Sequence, residues 1–201
     1  MRVKTEEKRD AILAAAADVF KESGFEGASM AEISARIGGS KGTLYAYFKS
    51  KEELFVAVTH AVAKKQIEPA LETLDQETED LEATLRVFGE KAVSFLCQES
   101  TLQTQRMILA EAGRSDIGRR FHEDGPKLGM QRIAAFMQKQ MAAGRLKQAD
   151  PMLATLQLCA LLDCETVRPM MLGLETSISK PRIKRMVGRA VETFLAAYAP
   201  H

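Results

Sequence analysis

The sequence lacks features that mark several other classes of protein. It has no tryptophan and only three cysteines among 201 residues, namely Cys97, Cys159 and Cys164. Their odd number and their spacing indicate a reducing compartment and no disulfide framework. The N-terminus is charged where a signal peptide would be apolar, and no apolar run is long enough to cross a bilayer. We therefore expect a cytoplasmic protein that does not enter a membrane.

Catalytic and cofactor motifs are also missing. The three histidines are scattered, and the sequence has no glycine-rich phosphate loop, nucleophile elbow or cysteine–histidine pairing. These absences predict no metal, no cofactor and no enzymatic activity. The net charge is only +1. Residues 1–51 contain nine Lys or Arg against seven Asp or Glu, a net of +2. Any affinity for nucleic acid must therefore depend on where the cations lie.

One short segment, residues 40–48, has a pattern that core packing alone does not explain. At about 100° per residue, Leu44 and Phe48 fall on one side of a helix. The opposite side carries small residues such as Gly42, with Lys41 near its start. A face of small side chains beside hydroxyl groups and a cation can approach a polyanion closely. A helix that binds in the major groove of DNA must approach the duplex closely, because the groove is only about 12 Å wide.

The segments around it predict a helix-turn-helix. Apolar residues recur at helical spacing over about residues 6–23, and Gly24 is suited to end that helix. Residues 29–32, Ser-Met-Ala-Glu, have capping-box spacing and open a second helix. The pair Gly38–Gly39 then forms the turn before the short third helix. A second capping box at residues 50–53 starts a long fourth helix.

With these motifs in register, residues 5–55 resemble the DNA-binding domain of the TetR (tetracycline-repressor) family of bacterial transcriptional regulators. The matching residues are Ile12, Leu13, Ala16, Phe20, Gly24, Phe25, Ser29, Met30, Ile33, Gly38, Ser40–Tyr45, Tyr47, Phe48 and Lys51–Leu54. Further on, residues 110–112, 144–146 and 149–151 resemble the effector domain of the AefR-like branch. Gly39 replaces an apolar residue usual in the family, and this departure predicts a looser turn.

The resemblance implies operator DNA as a partner. The residues expected to contact DNA are Ser29, Ser40, Lys41, Gly42, Thr43, Tyr45, Tyr47 and Lys51. Ser29, Tyr47 and Lys51 are expected to hold phosphates, whose contacts fix the register of the protein on the duplex. Base edges are expected to be approached by Lys41, Gly42, Thr43 and Tyr45.

The remaining pattern is helical, with no alternating runs typical of strands, and predicts an all-α protein. We expect a three-helix DNA-binding domain in residues 1–50 and a helical bundle for effector binding and dimerisation in residues 51–201. Helices after the fourth are predicted near residues 81–98, 101–113, 116–143 (with a kink at Gly125-Pro126), 151–172 and 181–199.

The predicted helix over residues 151–172 is apolar on nearly all sides, so it must be buried on all sides. One side can pack within the chain while another meets a second subunit. The resemblance implies a homodimer formed by the last two helices. The interface is expected to use Leu158, Leu161, Leu162, Met186, Val187, Val191, Phe194 and Leu195. The alternative is a monomer in which this helix is an ordinary core helix.

Ten methionines raise the possibility of a cavity for apolar ligands, because methionine adapts to irregular shapes. The resemblance implies a small, largely apolar effector in the C-terminal bundle. Candidate lining residues are Phe88, Phe95, Met107, Glu111, Phe121, Met137, Met141 and Asp163. The same residues equally suit plain core, and the two carboxylates suit ordinary ion pairs.

These expectations describe a repressor that a small molecule releases from a palindromic operator. One alternative is a regulator of the same fold that senses oxidants through Cys97, Cys159 or Cys164. Another is a dimeric helical ligand-binding protein without DNA signalling. A third is an enzyme with Glu111 or Asp163 as acid or base, although nothing in the residue spacing supports it.

Overall fold

A computed structural model describes residues 5–76 and 79–200. Of the described residues, 79% are helical and none lies in a strand, which confirms the all-α prediction. The helices follow in the order α1 Glu6–Gly27, α2 Met30–Arg36, α3 Lys41–Tyr47, α4 Lys51–Asp75, α5 Leu81–Leu96, α6 Glu99–Glu111, α7 Ile117–Asp124, α8 Pro126–Ala142, α9 Pro151–Cys164, α10 Val167–Met171 and α11 Lys180–Tyr198.

The helices form two compact units. The first contains the described residues up to Lys64 together with Met107–Asp124, and the second contains Lys65–Arg106 and the described residues from Gly125 onward. This grouping differs from the predicted boundary after residue 50. The reason is that Leu54 and Phe55, in the first turns of α4, are buried in the same core as α1 to α3.

The first unit begins with α1, whose N-cap Thr5 accepts a hydrogen bond from the Lys8 N–H. Gly24 has φ of 69° and interrupts the helical backbone, as the sequence predicted, although one more turn follows it up to Gly27. Side chains of α1, α2, α3 and the start of α4 share one core. Its largest fully buried members include Ile12, Ile33, Leu44 and Leu54.

The second unit has its core between α5, α9 and α11, with α8 packed on α9. Gly89 lets α5 approach α9 and α11 closely. A Cβ at this position would lie 2.7 Å from Cγ1 of Val187 on α11 and 3.0 Å from Cδ2 of Leu162 on α9. The three helices therefore meet with little free space between them.

Two of the predicted long helices are each divided in two. Gly125 is non-helical, and Pro126 starts α8 at a position where a missing N–H costs nothing. The predicted helix over residues 151–172 ends at Cys164, and α10 follows it. Pro169 explains this break, because in a continuous helix its ring would clash with the carbonyl of Glu165.

Candidate nucleic-acid interface

Helices α2 and α3 each bury one side and expose the other. Leu44 of α3 is 1% exposed, whereas Tyr45 beside it is 49% exposed. Lys41 and Gly42 are exposed as well, and Thr43 is half-buried. The exposed side of α3 therefore carries a cation, a backbone surface without a side chain, a hydroxyl and an aromatic ring. This combination can make hydrogen bonds and apolar contacts to base edges.

The turn between α2 and α3 is fixed by hydrogen bonds. Gly38 has φ of 65°, and its N–H donates to the Ala35 carbonyl at 3.1 Å. The Gly39 N–H donates to the Ser34 carbonyl at 3.3 Å, which completes a Schellman motif. The Ser34 hydroxyl in turn donates to the Gly39 carbonyl at 3.0 Å. Gly39 is thus held through both of its backbone groups, although it lacks the apolar side chain usual in the family.

Ser29 and Ser40 are the N-caps of the two short helices. Oγ of Ser29 accepts from the Glu32 N–H at 3.1 Å, and Oγ of Ser40 accepts from the Thr43 N–H at 3.2 Å. Each bond satisfies an N–H that the helix itself leaves without a partner. Both serines are exposed. Their hydrogen bonds fix where α2 and α3 begin.

Tyr47 and Lys51 bond within the first unit. Oη of Tyr47 accepts from the Thr5 N–H at 3.0 Å. Nζ of Lys51 donates to the carbonyl of Phe25 at 2.7 Å, and it lies 4.4 Å from the centre of the Phe25 ring. All eight residues predicted to contact DNA therefore lie in the first unit, yet the polar groups of these two are already engaged by α1.

The residues predicted for a subunit interface lie mostly inside one chain. Those buried in the core of the second unit are Leu158, Leu162, Val187, Val191 and Phe194, and Met186 is buried as well. Leu161 and Leu195 are half-buried against the same core. A side chain enclosed within its own chain has little surface left for a second subunit. Within one chain these residues hold α9 and α11 to α5, and their part in a subunit interface stays a prediction.

A different side of α9 is open. Leu153 and Leu156 are 49% and 47% exposed, and Ala160 and Cys164 are exposed at helical spacing along the same line. We call these four residues the α9 face. No pattern in the sequence separates them from the buried leucines, because α9 is apolar all round.

The C-terminal part of α11 runs beside α9 in the opposite direction. Tyr198 donates from Oη to Oε1 of Gln157 at 2.5 Å, and Arg189 forms an ion pair with Glu165. As residue numbers rise on α9 they fall on α11, so the helices are antiparallel. The pKa of Glu165 is lowered by its hydrogen bonds from Arg189.

The predicted effector residues are divided between the two units. Met107, Glu111 and Phe121 belong to the first unit, while Phe88, Phe95, Met137, Met141 and Asp163 belong to the second. Phe88, Met137 and Met141 are 3%, 0% and 1% exposed in the second core. Asp163 lies 3.6 Å from Arg168 in an ion pair. Phe88, Met137 and Met141 therefore belong to the core of the second unit, and an effector pocket lined by the predicted set stays a prediction.

A pocket of about 350 Å³ opens elsewhere in the second unit, between α6, α10 and the segment after α10. Its lining residues are Glu99, Leu102, Arg106, Met170, Met171, Leu172, Gly173, Glu175 and Thr176. Arg106 donates to the carbonyls of Met171 and Met170 at 3.1 and 2.5 Å. An apolar floor with charged groups at its rim suits a small molecule with an apolar body and polar substituents. The sequence did not predict this pocket. One wall consists of Met170 and Met171, which follow the helix break at Pro169.

The cysteines lie in different surroundings. Burial raises the pKa of the Cys97 thiol, and likewise that of Cys159, to about 11. Cys164 is exposed. Within residues 5–76 and 79–200, no three His, Cys, Asp or Glu side chains gather as a metal site would require. No helix in the described part of the chain is both long and apolar enough to cross a membrane.

Comparison with known proteins gives matches over both units. A family model described as bacterial regulatory proteins, tetR family, matches residues 12–58. A second, described as the C-terminal domain of AefR-like transcriptional repressors, matches residues 83–200.

Individual relatives agree with these models. The transcriptional activator FasR of Mycolicibacterium smegmatis is 36% identical over 107 residues, which are 53% of this chain and 48% of FasR. A crystal structure of a TetR-family regulator from Mesorhizobium loti is 29% identical with a TM-score of 0.85, covering 98% of this chain and all of the other. The flavonoid-responsive regulator FrrA is 31% identical with a TM-score of 0.74, at the same coverage.

Proposed function

The chain belongs to the TetR family of bacterial transcriptional regulators, and we propose that it is a repressor that binds a palindromic operator as a homodimer. A small molecule bound to the second unit would release it from DNA. Binding of DNA and regulation of transcription follow from the family itself, which is not a family of enzymes.

The exposed side of α3 is the observation that carries the proposal. Lys41, Gly42, Thr43 and Tyr45 project from a short helix whose start is capped by Ser40 and whose preceding turn is hydrogen-bonded. Side chains held in this way can distinguish base pairs in the major groove. Ser29, at the start of α2, is suited to a backbone phosphate, which positions the protein without reading sequence.

Selection from a random pool of DNA duplexes, followed by fluorescence anisotropy, tests this proposal. Wild type should enrich an inverted repeat whose half-site centres are about 34–36 Å apart, or a small multiple of that distance. Thr43→Ala should change which bases are preferred. Thr104→Ala, at a threonine of α6 that is half-buried like Thr43, is the matched control and should leave preference unchanged. Failure of wild type to enrich any sequence would refute the proposal.

For the homodimer we propose the α9 face together with the exposed side of α11 beside it. Leu153 and Leu156 offer apolar side chains to a partner, and Thr193 and Ala196 of α11 are exposed and small. Small residues let helices approach each other, while exposed leucines lose contact with water on association. A two-fold axis through this surface would make the contact self-complementary.

The pocket beside α6 is our candidate for the effector site. FrrA responds to flavonoids, which combine an apolar aromatic body with hydroxyl groups. This chemistry suits the floor at Leu102 and Met170 and the polar rim at Glu99 and Arg106. Helix α6 also passes from one unit to the other, since Arg106 lines the pocket and Met107 packs against the core of the first unit.

Effector and DNA should weaken each other's binding by the same factor, because coupling between two sites is reciprocal. A coupling of about 1–3 kcal/mol changes operator affinity roughly 5- to 150-fold. Titration of flavonoids by calorimetry, with and without operator DNA, measures this factor. Equal affinities in the two titrations would leave a ligand-binding protein that does not signal through DNA.

Activation is a second candidate, favoured by the similarity to the activator FasR. Deleting the gene discriminates the two, because transcripts next to the bound sites rise for a repressor and fall for an activator. Oxidant sensing by Cys97 or Cys159 is disfavoured by their raised pKa values, since the thiolate is the reactive form. Peroxide should therefore leave DNA binding unchanged in a Cys164→Ser variant, which lacks the exposed thiol.

A further inference from the structure

Lys51 occupies an unusual place for a cation. It is the first residue of α4, where the helix dipole favours negative charge, and Glu52 and Glu53 follow it. Its ammonium group, however, points to the end of α1. Nζ lies 2.7 Å from the carbonyl oxygen of Phe25 and 3.5 Å from that of Glu26.

The carbonyls that Lys51 contacts need a donor from outside their helix. Phe25 and Glu26 lie in the last turn of α1, and the last four carbonyls of a helix have no partner within it. Lysine side chains commonly satisfy such groups near a helix C-terminus. Here the lysine comes from another helix, so the bond joins α4 to α1.

The ring of Phe25 adds a second attachment at the same point. Nζ of Lys51 lies 4.4 Å from the centre of this ring, within the range of a cation–π contact. Phe25 meets Phe55 of α4 edge to face, with ring centres 5.1 Å apart. The charged and the aromatic contacts therefore hold the same turn of α1 against α4.

This turn of α1 leads directly to α2. Only Gly27 and Ala28 separate Glu26 from Ser29, the N-cap of α2. The Ala28 N–H donates to the Gly24 carbonyl at 3.2 Å, so the connection is short and hydrogen-bonded. Whatever fixes Phe25 and Glu26 also fixes where α2 begins.

We propose that Lys51 is a positioning residue, which caps α1 from α4 and thereby sets the start of α2, rather than a phosphate ligand. The proposal rests on the proposed DNA-binding function for its biological meaning, but the contact itself exists without DNA. A phosphate ligand would need the ammonium group to leave the Phe25 carbonyl.

The salt dependence of operator binding distinguishes the two roles. A lysine that neutralises a phosphate contributes about 0.9 to the slope of log affinity against log salt concentration. Lys51→Ala and Lys51→Met should lower operator affinity roughly tenfold, as loss of one charge-assisted hydrogen bond does, and leave that slope unchanged. Lys41→Ala, at the exposed lysine of α3, is the control and should reduce the slope, because this cation lies among the phosphates and displaces counterions even when it approaches a base edge.

Hydrogen exchange of the DNA-free protein gives an independent test of the role of Lys51. Lys51→Met keeps the apolar stem but removes the donor, so amides of residues 25–29 should exchange faster, whereas Lys41→Ala should leave them unchanged. A reduced salt slope in the Lys51 variants would overturn the proposal, and so would unchanged exchange at residues 25–29. Failure of wild type to bind any DNA would count against the proposed function alone.

Discussion

The two units hold their helices in place by different means. In the first unit, short helices begin and end at hydrogen-bonded caps: Ser29, Ser40 and the Schellman turn at Gly38. In the second unit, longer helices are held by apolar packing between α5, α9 and α11, close enough that Gly89 has no room for a Cβ. Caps act over three or four residues, whereas packing joins residues distant in sequence.

The largest effect on stability is expected from replacing a buried leucine of α9. Comparing a buried with an exposed leucine tests which of them belong to the second core. Leu158 is fully buried, and Leu156 is 47% exposed on the same helix. Leu158→Ala should lower the free energy of unfolding by about 2–5 kcal/mol, because it removes buried methyl groups and leaves a cavity. Leu156→Ala should cost much less. Urea unfolding at one fixed protein concentration measures both, and equal losses would contradict the assignment of faces.

The contrast between the units explains what the sequence could predict. The position of Gly24, the cap at Ser29 and the start of α9 at residue 151 are each encoded within a few residues, and the structure confirms all three. Pro169 encodes a helix break in the same local way, but the predicted helix over residues 151–172 runs through it.

The side of an all-round apolar helix that faces its own chain is not encoded locally. Leu153 and Leu158 have the same chemistry, and only the packing of α5 and α11 distinguishes the exposed one from the buried one. For the same reason the methionines of the second core could be mistaken for a pocket lining. The contact of Lys51 with Phe25 joins residues 26 positions apart, so the DNA-binding motif indicated the residue and not its partner.

The next effect concerns the proposed dimer. Leu156→Glu would place a carboxylate in the interface of each subunit, and an unpaired buried charge is costly. A cost of about 3 kcal/mol raises the dimer dissociation constant more than a hundredfold. Leu128→Glu, at a leucine of α8 that is 57% exposed, is the matched control. Sedimentation velocity should show dissociation only for Leu156→Glu. A dimer unaffected by that change would place the interface elsewhere.

A smaller effect compares adjacent glycines in the first unit. Gly38 has positive φ, whereas Gly39 does not, and a Cβ at either position meets no atom within 4 Å. Gly38→Ala should therefore destabilise through backbone strain alone, by about 1–2 kcal/mol. Gly39→Ala should be neutral or stabilise by up to about 1 kcal/mol, because it restricts the unfolded chain. Thermal unfolding of the two variants gives the comparison, and a loss of stability in Gly39→Ala would show that the turn needs glycine at both positions.

The smallest effect is expected from His60, a half-buried residue of α4 in the first unit. Its ring stacks on Phe121, and Nε2 lies 2.9 Å from the Phe121 carbonyl oxygen. Burial lowers the pKa of His60 below 6.5, although the Phe121 carbonyl and Asp124 act in the opposite direction. Below about pH 6.5 the unfolded chain therefore binds more protons than the folded one, and the free energy of unfolding falls as pH decreases.

His60→Gln should remove the decrease in the free energy of unfolding that protonation of His60 causes at acidic pH. His122→Gln, at an exposed histidine of the neighbouring helix α7, is the control that should retain it. Urea unfolding of the three proteins between pH 7.5 and about pH 5 measures the difference. If wild type and His60→Gln lose stability in parallel over this range, the contact of His60 with Phe121 does not depend on the neutral ring.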